Sequence, residues 1–312
     1  PYAPGVFTTS RPGNVIAACQ DCHMPDRTGP GCDEVNAPIR PTDSMEHSKS
    51  GQGIHDLTGG NAFIPFVLAS TVPTSPNYDP QNATLLGQGV AALTLDLTAG
   101  IGLDAQALLA GANRAIAQLK RAASIQQLSY DPATGALSFQ IHNQTGHKLI
   151  SGYPEGRRMF AGVRVYQGAT LLHEINPYDA GAGTLKGLPG SPSSPPLGAG
   201  EAHDDALVYE ARSSSSLTGQ AHTFHFVLAD GLEKDNRIPP RGFRIAEAPA
   251  RKAEPHWAGA PAPGYYTAAE YAGGYDQVSL MVPAGGDRVV VSLYYQTTSR
   301  EYMEFLRDQI NG

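Results

Sequence analysis

The chain has 312 residues, of which 41% are hydrophobic, and its formal net charge is −7 at pH 7. This mild acidity, without a cluster of Lys and Arg, argues against a nucleic-acid partner. The longest apolar runs, of about ten residues, are too short for a transmembrane helix. The 35 Gly and 25 Pro predict many turns, so the composition favours short strands and loops over a helical bundle.

The N-terminal third of the chain is predicted to be loop-rich. Residues 1–103 contain all three cysteines and show little sustained hydrophobic periodicity. An amphipathic helix is predicted over residues 103–125, with Asp104 as its N-cap. Its apolar face is predicted to consist of Ala105, Leu108, Leu109, Ala112, Ile116, Leu119 and Ala123.

After this helix the hydrophobic period changes to the alternation that is typical of strands. Residues 128–143 predict a hairpin that turns at Asp131–Gly135. Further strands are predicted at residues 159–166, 170–175, 206–211, 222–228, 277–282 and 288–296. Thr298 and Glu301 fit a capping box at the start of a short C-terminal helix.

Together these elements predict a mainly β fold with α. It comprises a loop-rich N-terminal region, one long helix, an antiparallel β-sandwich and a short C-terminal helix. The predicted domains are residues 1–124, which end in the helix, and residues 125–312, which contain the sandwich. The chain begins at Pro1 without Met and without a signal segment, so we interpret it as a processed mature chain, a fragment or a trimmed chain.

The stretch AACQDCHMPD, residues 17–26, contains a C-x-x-C-H motif. Two thiols at this spacing can reach the two vinyl groups of one porphyrin edge, and the histidine that follows turns back to bind the iron. Cys19, Cys22 and His23 therefore predict the covalent attachment of one haem c, with His23 as the proximal ligand. Residues 1–124 would then be the haem-binding region.

Zinc is the main alternative to haem at this motif. Cys19, Cys22 and Cys32, with either His47 or His55, would supply a tetrahedral Cys₃His site, although zinc ribbons usually present two close cysteine pairs. A disulfide between the first two cysteines is a further alternative, but no thioredoxin-like pattern surrounds them. If the motif binds haem, Cys32 is either a buried free thiol or an intermolecular thiol in an oligomer.

The sixth coordination position of a haem iron has three candidate ligands. His47 and His55 lie on a Gly-rich stretch that can fold back over the haem, and His147 follows the predicted hairpin. Met24 is excluded, because it follows the proximal histidine directly and cannot reach over the ring. His225, between two phenylalanines, is interpreted as structural.

Five stretches resemble the C-terminal part of bacterial multihaem c-type cytochromes: CQDCHMP, HDLTGGN, TGHKLISGYPEGRR, KDNRIPPRGF and YYQTTSREYMEFL. The resemblance implies that His55 is an axial ligand, and that His147 lies close to a haem and is a possible ligand of one. The chain departs from that family by its single C-x-x-C-H motif, and by Leu57 and Ser151 where an aromatic residue and Thr are expected. With one haem, one of the two histidines is either structural or reaches a haem on another subunit.

Two further predictions concern charged side chains. Arg157 and Arg158 pair either with haem propionates or with a carboxylate in a plain salt bridge. A group of acidic residues could bind Ca²⁺ together with backbone carbonyls, but their spacing fits no loop motif, so a solvated acidic face is the favoured interpretation. These residues are Asp204, Asp205, Glu233 and Asp235.

The predicted function is one-electron transfer, because a haem with two imidazole ligands has no open position for a substrate. The partner would be a redox protein or a neighbouring cytochrome subunit, within an oligomer or a larger multihaem assembly. An open sixth position would instead predict an enzyme that acts on peroxide or nitrogen oxides. Bound zinc would predict a structural β domain that the zinc ion holds together. Because haem is attached to C-x-x-C-H outside the cytoplasmic membrane, the chain is predicted to be exported to the periplasm or the cell surface.

Overall fold

A computed structural model describes residues 16–24, 57–86, 102–150 and 154–311, together with the backbone of four two-residue strands between residues 26 and 53. The chain divides into two compact units, Pro1–Arg121 and Ala122–Gly312. In its described part, the first unit is mainly helical, whereas the second unit is built around β-sheets.

The described elements of the first unit are short helices, one long helix and four very short strands. The helices are α1 (Gln20–His23), α2 (Phe63–Ser70), α3 (Pro80–Leu86) and α4 (Ala105–Ala122), the last of which ends at the first residue of the second unit. The strands are β1 (Asp26–Arg27), β2 (Gly29–Pro30), β3 (Met45–Glu46) and β4 (Gln52–Gly53). β1 pairs with β4 and β2 pairs with β3, in both cases antiparallel.

Helix α4 confirms the predicted amphipathic helix, with a difference in its buried face. The Asp104 carboxylate accepts hydrogen bonds from Gln106 N and Ala107 N at 2.9 and 3.0 Å, and so caps the N-terminus. The buried residues are Ala105, Ala112, Ala115 and Gln118. The prediction that Ile116 faces the core is wrong, since this residue is 40% exposed. It lies about 100° around the helix from Ala115, outside the stripe on which the small side chains pack.

The second unit contains fourteen strands in its described part. They are β5 (Ala123–Tyr130), β6 (Ala136–Asn143), β7 (Arg158–Gln167), β8 (Thr170–Ile175), β9 (Tyr178–Asp179), β10 (Thr184–Leu185), β11 (Glu201–Ala202), β12 (Val208–Tyr209), β13 (Ala211–Ser214), β14 (Gly231–Asp235), β15 (His256–Trp257), β16 (Ala260–Pro261), β17 (Tyr275–Met281) and β18 (Arg288–Gln296). Two helices follow strands of this unit, namely α5 (Ala268–Gly273) and α6 (Arg300–Asn311).

Two sheets of the second unit pack face to face as a β-sandwich. One sheet has the strand order β17-β6-β5, and the other has the order β11-β8-β7-β12, with β18 also paired to β7. Side chains from both sheets share one buried apolar cluster, which includes Phe139 and Ile141 of β6 and Val163 and Val165 of β7. The mainly β class with a short C-terminal helix is therefore confirmed. One pair, β11 with β8, is parallel rather than antiparallel.

The hairpin formed by β5 and β6 confirms the turn predicted at Asp131–Gly135. Asp131 N donates to Ala136 O at 2.8 Å, and Gly135 N donates to Asp131 O at 2.8 Å. Gly135 has φ +77°, and a Cβ at this position would lie 2.0 Å from Val282 O. A glycine is therefore required both by the left-handed φ angle and by the close approach of the backbone at Val282.

The strand predicted at residues 222–228 is wrong. The segment instead contains a turn of 3₁₀ helix at Phe226–Leu228, where Leu228 N donates to His225 O at 3.0 Å. Alternating aromatic residues gave the strand pattern, but Val227 is 90% exposed and packs against no sheet. In a short segment, an alternating hydrophobic pattern also arises in residues that do not pair with a neighbouring strand.

The start of helix α6 also differs from the prediction in one detail. Ser299 Oγ, rather than a group of Thr298, accepts a hydrogen bond from Tyr302 N at 3.2 Å. Glu301 does not close a capping box, because its carboxylate accepts from Thr184 Oγ1 at 2.7 Å. No helix among the described residues combines the length and the apolar character that a membrane span needs.

Candidate functional site

The C-x-x-C-H motif folds into the single helical turn α1. Cys19 has helical dihedral angles, φ −58° and ψ −35°, and its carbonyl accepts hydrogen bonds from Cys22 N and His23 N at 3.2 and 3.0 Å. The Asp21 carboxylate accepts from the two backbone N–H groups that precede the turn, at 2.7 and 2.9 Å. Since residues three apart are neighbours on a helix surface, the two thiols lie on one side of the turn.

The two cysteines are free thiols that differ in exposure. Cys19 is exposed, whereas Cys22 is half-buried. Burial raises the pKa of the Cys22 thiol, and the negative charge of Asp21 raises it further, against the lowering effect of Arg121. In the metal-free chain the Cys22 thiol therefore holds its proton more strongly than a free cysteine.

His23 is held by two hydrogen bonds to one residue, Thr58. Its Nδ1 lies 2.5 Å from Thr58 O, and Thr58 N donates to His23 O at 3.1 Å. A carbonyl oxygen can only accept, so Nδ1 carries the proton and the lone pair is assigned to Nε2. This is the tautomer of an imidazole that binds a metal through Nε2 and donates its other N–H to a backbone carbonyl.

The helical turn is also anchored to helix α4. Gln118 Nε2 donates to Cys22 O at 3.0 Å, and Gln118 Oε1 accepts from Arg121 Nη2 at 2.7 Å. Because Gln118 is buried, these two bonds satisfy an amide that would otherwise be costly to bury. Sequence reasoning missed this residue, because no local signal marks a glutamine that binds a carbonyl 96 positions away in the chain.

Several predicted site residues lie outside the part of the chain that the structure describes. These are Cys32, His47 and His55. The axial role of His55, the zinc alternative and the intermolecular role of Cys32 therefore stay predictions.

His147 belongs to the second unit, where it follows strand β6 and is exposed. Its Nδ1 lies 3.0 Å from Lys148 O and 3.2 Å from Thr145 Oγ1. Asn143 Nδ2 donates to His147 O at 2.8 Å and so fixes the backbone. Donation from Nδ1 to the carbonyl of Lys148 assigns the lone pair to Nε2, as in His23. Its role as a distal ligand stays a prediction.

Arg158 is buried at the start of β7 and is surrounded by protein partners. Its Nε donates to Gln296 Oε1 at 2.7 Å, and its Nη2 lies 2.9 Å from Thr184 Oγ1 and 3.1 Å from a carboxylate oxygen of Glu301. The contact with Glu301 is an ion pair of the kind that the salt-bridge alternative predicts. If the guanidinium of Arg158 turned away from Glu301, this partly buried carboxylate would lose its cation. Pairing with haem propionates stays a prediction for Arg157.

The four acidic residues considered for Ca²⁺ do not converge on one point. Asp205 pairs with Arg212 and Lys234 at 2.5 and 3.0 Å, whereas Asp235 pairs with two other cations at 2.8 Å each. Across the described ranges, no group of three or more His, Cys, Asp or Glu is placed to hold a metal ion. Asp235, at 2% exposed, does not belong to a solvated face, whereas the other three acidic residues are partly exposed, and Ca²⁺ binding stays a prediction without support from this geometry.

Comparison with known proteins gives one distant structural likeness. No protein-family model matches the chain, and no curated protein matches it. Among solved structures, the chain is similar to a penta-haem cytochrome c552 from Thermochromatium tepidum, with 15% sequence identity and a TM-score of 0.38. The match covers 72% of this chain and 44% of that chain, so this chain spans less than half of the cytochrome's length. This TM-score is too low to establish a shared fold.

Proposed function

We propose that Cys19, Cys22 and His23 hold one covalently bound haem c, and that the protein transfers single electrons. The observation that carries this proposal is the hydrogen bond from His23 Nδ1 to Thr58 O, at 2.5 Å, within a C-x-x-C-H turn. It assigns to His23 the tautomer that a proximal iron ligand needs. The two thiols on one side of the turn suit thioether bonds to one porphyrin edge.

Different residues of the chain would have different roles in binding the haem. A bound haem supplies an iron that gains or loses one electron. Cys19 and Cys22 would anchor the porphyrin, and His23 would bind the iron through Nε2. Thr58 O orients the imidazole ring and makes it a more basic ligand, while Gln118 fixes the carbonyl of Cys22.

The sixth coordination position is proposed to hold His55, with His147 and His47 as alternatives. Two imidazole ligands place the reduction potential below that of a His/Met haem, because thioether ligation favours the reduced metal. A filled position leaves no room for a substrate, so the protein would act as an electron carrier. It would exchange electrons with a redox partner or a neighbouring cytochrome subunit, as part of a larger multihaem assembly or alone.

The proposed location is outside the cytoplasm, in the periplasm or at the cell surface. The support for it is chemical, because the thiols of a C-x-x-C-H motif meet haem on the outer side of the cytoplasmic membrane.

A redox titration of the purified protein, followed by its visible spectrum, tests the proposed function. We expect one reversible one-electron step, with low-spin spectra in both oxidation states that do not change on adding cyanide. A high-spin spectrum that shifts with cyanide or peroxide would contradict the carrier role and indicate an enzyme with an open position. The absence of any redox step would contradict both.

A further inference from the structure

A hydrogen bond between a phenol and a carboxylate lies in the second unit, away from any residue of the haem motif in the sequence. Tyr209 of β12 is fully buried, and its O–H donates to Asp276 Oδ2 of β17 at 2.5 Å. This is the length expected for a hydroxyl that donates to an ionised carboxylate, about 2.5–2.7 Å. Burial raises the pKa of Asp276 to about 6, so the carboxylate is mainly ionised at neutral pH.

No cation compensates the charge of Asp276 among the described residues. The charged groups that act on it are Glu270 and Asp204, both of which raise its pKa, while the bond from Tyr209 lowers it. Glu270 accepts from Thr267 N and its carboxylate is bound at the start of α5. By contrast, Asp205 and Asp235, described above, are neutralised by Lys and Arg, and their pKa values are lowered. Asp276 is therefore a carboxylate that is ready to accept a proton.

Aromatic rings lead from a half-buried tryptophan toward this carboxylate. The ring centroids of Trp257 and Tyr265 are 5.2 Å apart, and those of Tyr265 and Tyr266 are 5.0 Å apart. The charge of Asp276 raises the pKa of both tyrosines, after the larger effect of burial, so both lie near it. Rings at these distances are in direct contact. They provide a series of oxidisable groups in contact from Trp257 to Tyr266.

Tyr209 differs from its neighbour Tyr266 in the group that receives its hydrogen bond. Tyr266 is also buried, at 2% exposed, but its O–H donates to the backbone oxygen of Asn236. A backbone carbonyl cannot take up a proton at ordinary pH, whereas a carboxylate can act as a general base. Of these two buried phenols, Tyr209 therefore has a proton acceptor and Tyr266 has none.

We propose that Tyr209 and Asp276 form a redox-active pair. A one-electron outer-sphere oxidant that reaches Trp257 is reduced by an electron that Tyr209 supplies through the intervening rings. The O–H bond of Tyr209 breaks, its proton forms an O–H bond with Asp276 Oδ2, and a neutral tyrosyl radical remains. Return of one electron reverses both steps. This activity goes beyond the proposed haem function and does not depend on it.

The test generates a one-electron oxidant in the presence of the full chain. A photo-oxidised ruthenium tris-bipyridine complex is the probe, any bound haem is kept oxidised so that it cannot supply the electron, and radicals are trapped by freezing for electron paramagnetic resonance. We expect a tyrosyl signal that is lost in Tyr209→Phe and kept in Tyr271→Phe, a control that is also buried, at 3% exposed, and whose O–H donates to the backbone oxygen of Pro263. An equal signal in Tyr209→Phe and the unchanged protein would overturn the proposal.

The pH dependence of the signal gives a second test that needs no substitution. Between about pH 8 and about pH 5 the ionised fraction of Asp276 falls about tenfold, given its pKa of about 6. The radical yield of the unchanged protein should fall with it. A yield that does not depend on pH would overturn the proposal. Failure of haem attachment would leave both tests unaffected, so the two proposals can fail separately.

Discussion

The contact between His23 and Thr58 decides the chemistry of one imidazole, because a backbone carbonyl at 2.5 Å from Nδ1 leaves the lone pair on Nε2. The two residues are 35 positions apart in the chain, and Gln118 is 96 positions from Cys22, whose carbonyl it binds. The motif residues could be predicted from the sequence, since they are adjacent. Thr58 and Gln118 could not, because their roles depend on contacts that only the folded chain creates.

Replacing His23 should distinguish covalent attachment of the haem through the cysteines from coordination of its iron by the histidine. In His23→Ala the thioether bonds remain, so we expect the haem to stay on the polypeptide but to lose its axial imidazole and become high-spin. The matched control is His256→Ala in the second unit, whose Nδ1 also bonds to a backbone carbonyl, at 3.1 Å from Glu254 O. Visible spectra of both variants make the measurement. A low-spin spectrum that is unchanged in His23→Ala would remove this residue from the iron.

Asp276 should make stability depend on pH in a defined direction. Its folded-state pKa, about 6, is above the value of about 3.9 in the unfolded chain. Asp276 therefore stabilises the folded protein by about 2 to 3 kcal/mol at a pH below the unfolded-state pKa. This stabilisation is lost as the pH rises through the folded-state pKa.

The variant Asp276→Asn removes the titration and keeps the shape of the side chain. Relative to the unchanged protein, we expect its free energy of unfolding to rise by about 2 to 3 kcal/mol between about pH 4 and about pH 7. Urea unfolding of both proteins at the two pH values measures this difference. A difference that stays constant across the range would show that Asp276 titrates alike in the folded and unfolded chains.

At the scale of secondary structure, elements with a strong hydrophobic period were predictable and weak ones were not. Helix α4 and the hairpin of β5 and β6 combine a clear period with a cap or a turn sequence. The segment at residues 222–228 alternates over only a few residues, and it forms no strand. The start of α6 depends on Ser299, because Glu301 is drawn to a distant threonine.

Two glycines in turns should respond differently to the same substitution. Gly135 and Gly168 both have left-handed φ angles, +77° and +59°, but a Cβ at Gly135 would lie 2.0 Å from a backbone oxygen, whereas Gly168 has open space. Gly168→Ala should cost about 1 to 2 kcal/mol, the strain of the left-handed backbone alone. Gly135→Ala should cost clearly more, since backbone must move. Urea unfolding compares the two, and equal losses would contradict the close contact.

For the whole molecule, the sequence predicts the mainly β class but not where its charges lie. In a sequence, scattered charged residues suggest a solvent-exposed surface. In the structure, however, Glu210 and Lys234 are buried, at 8% and 2% exposed, and form an ion pair at 3.2 Å. A buried charge is stabilised by a partner of opposite charge, and these two partners lie 24 positions apart in the chain, so no local pattern shows them. The choice of a distal haem ligand is the same kind of problem, because no local pattern decides between the candidates His55 and His147.

Covalent haem attachment is best tested by extracting the purified, denatured protein with acid and acetone and recording the visible spectrum of both fractions. We expect the haem band to stay with the polypeptide, and to be lost in the double variant Cys19→Ala/Cys22→Ala but kept in Cys32→Ala. A colourless protein, or colour that moves into the solvent, would contradict covalent attachment at this motif and, with it, the electron-transfer proposal. Zinc bound in a ratio that falls when Cys32 is replaced would then identify the alternative site.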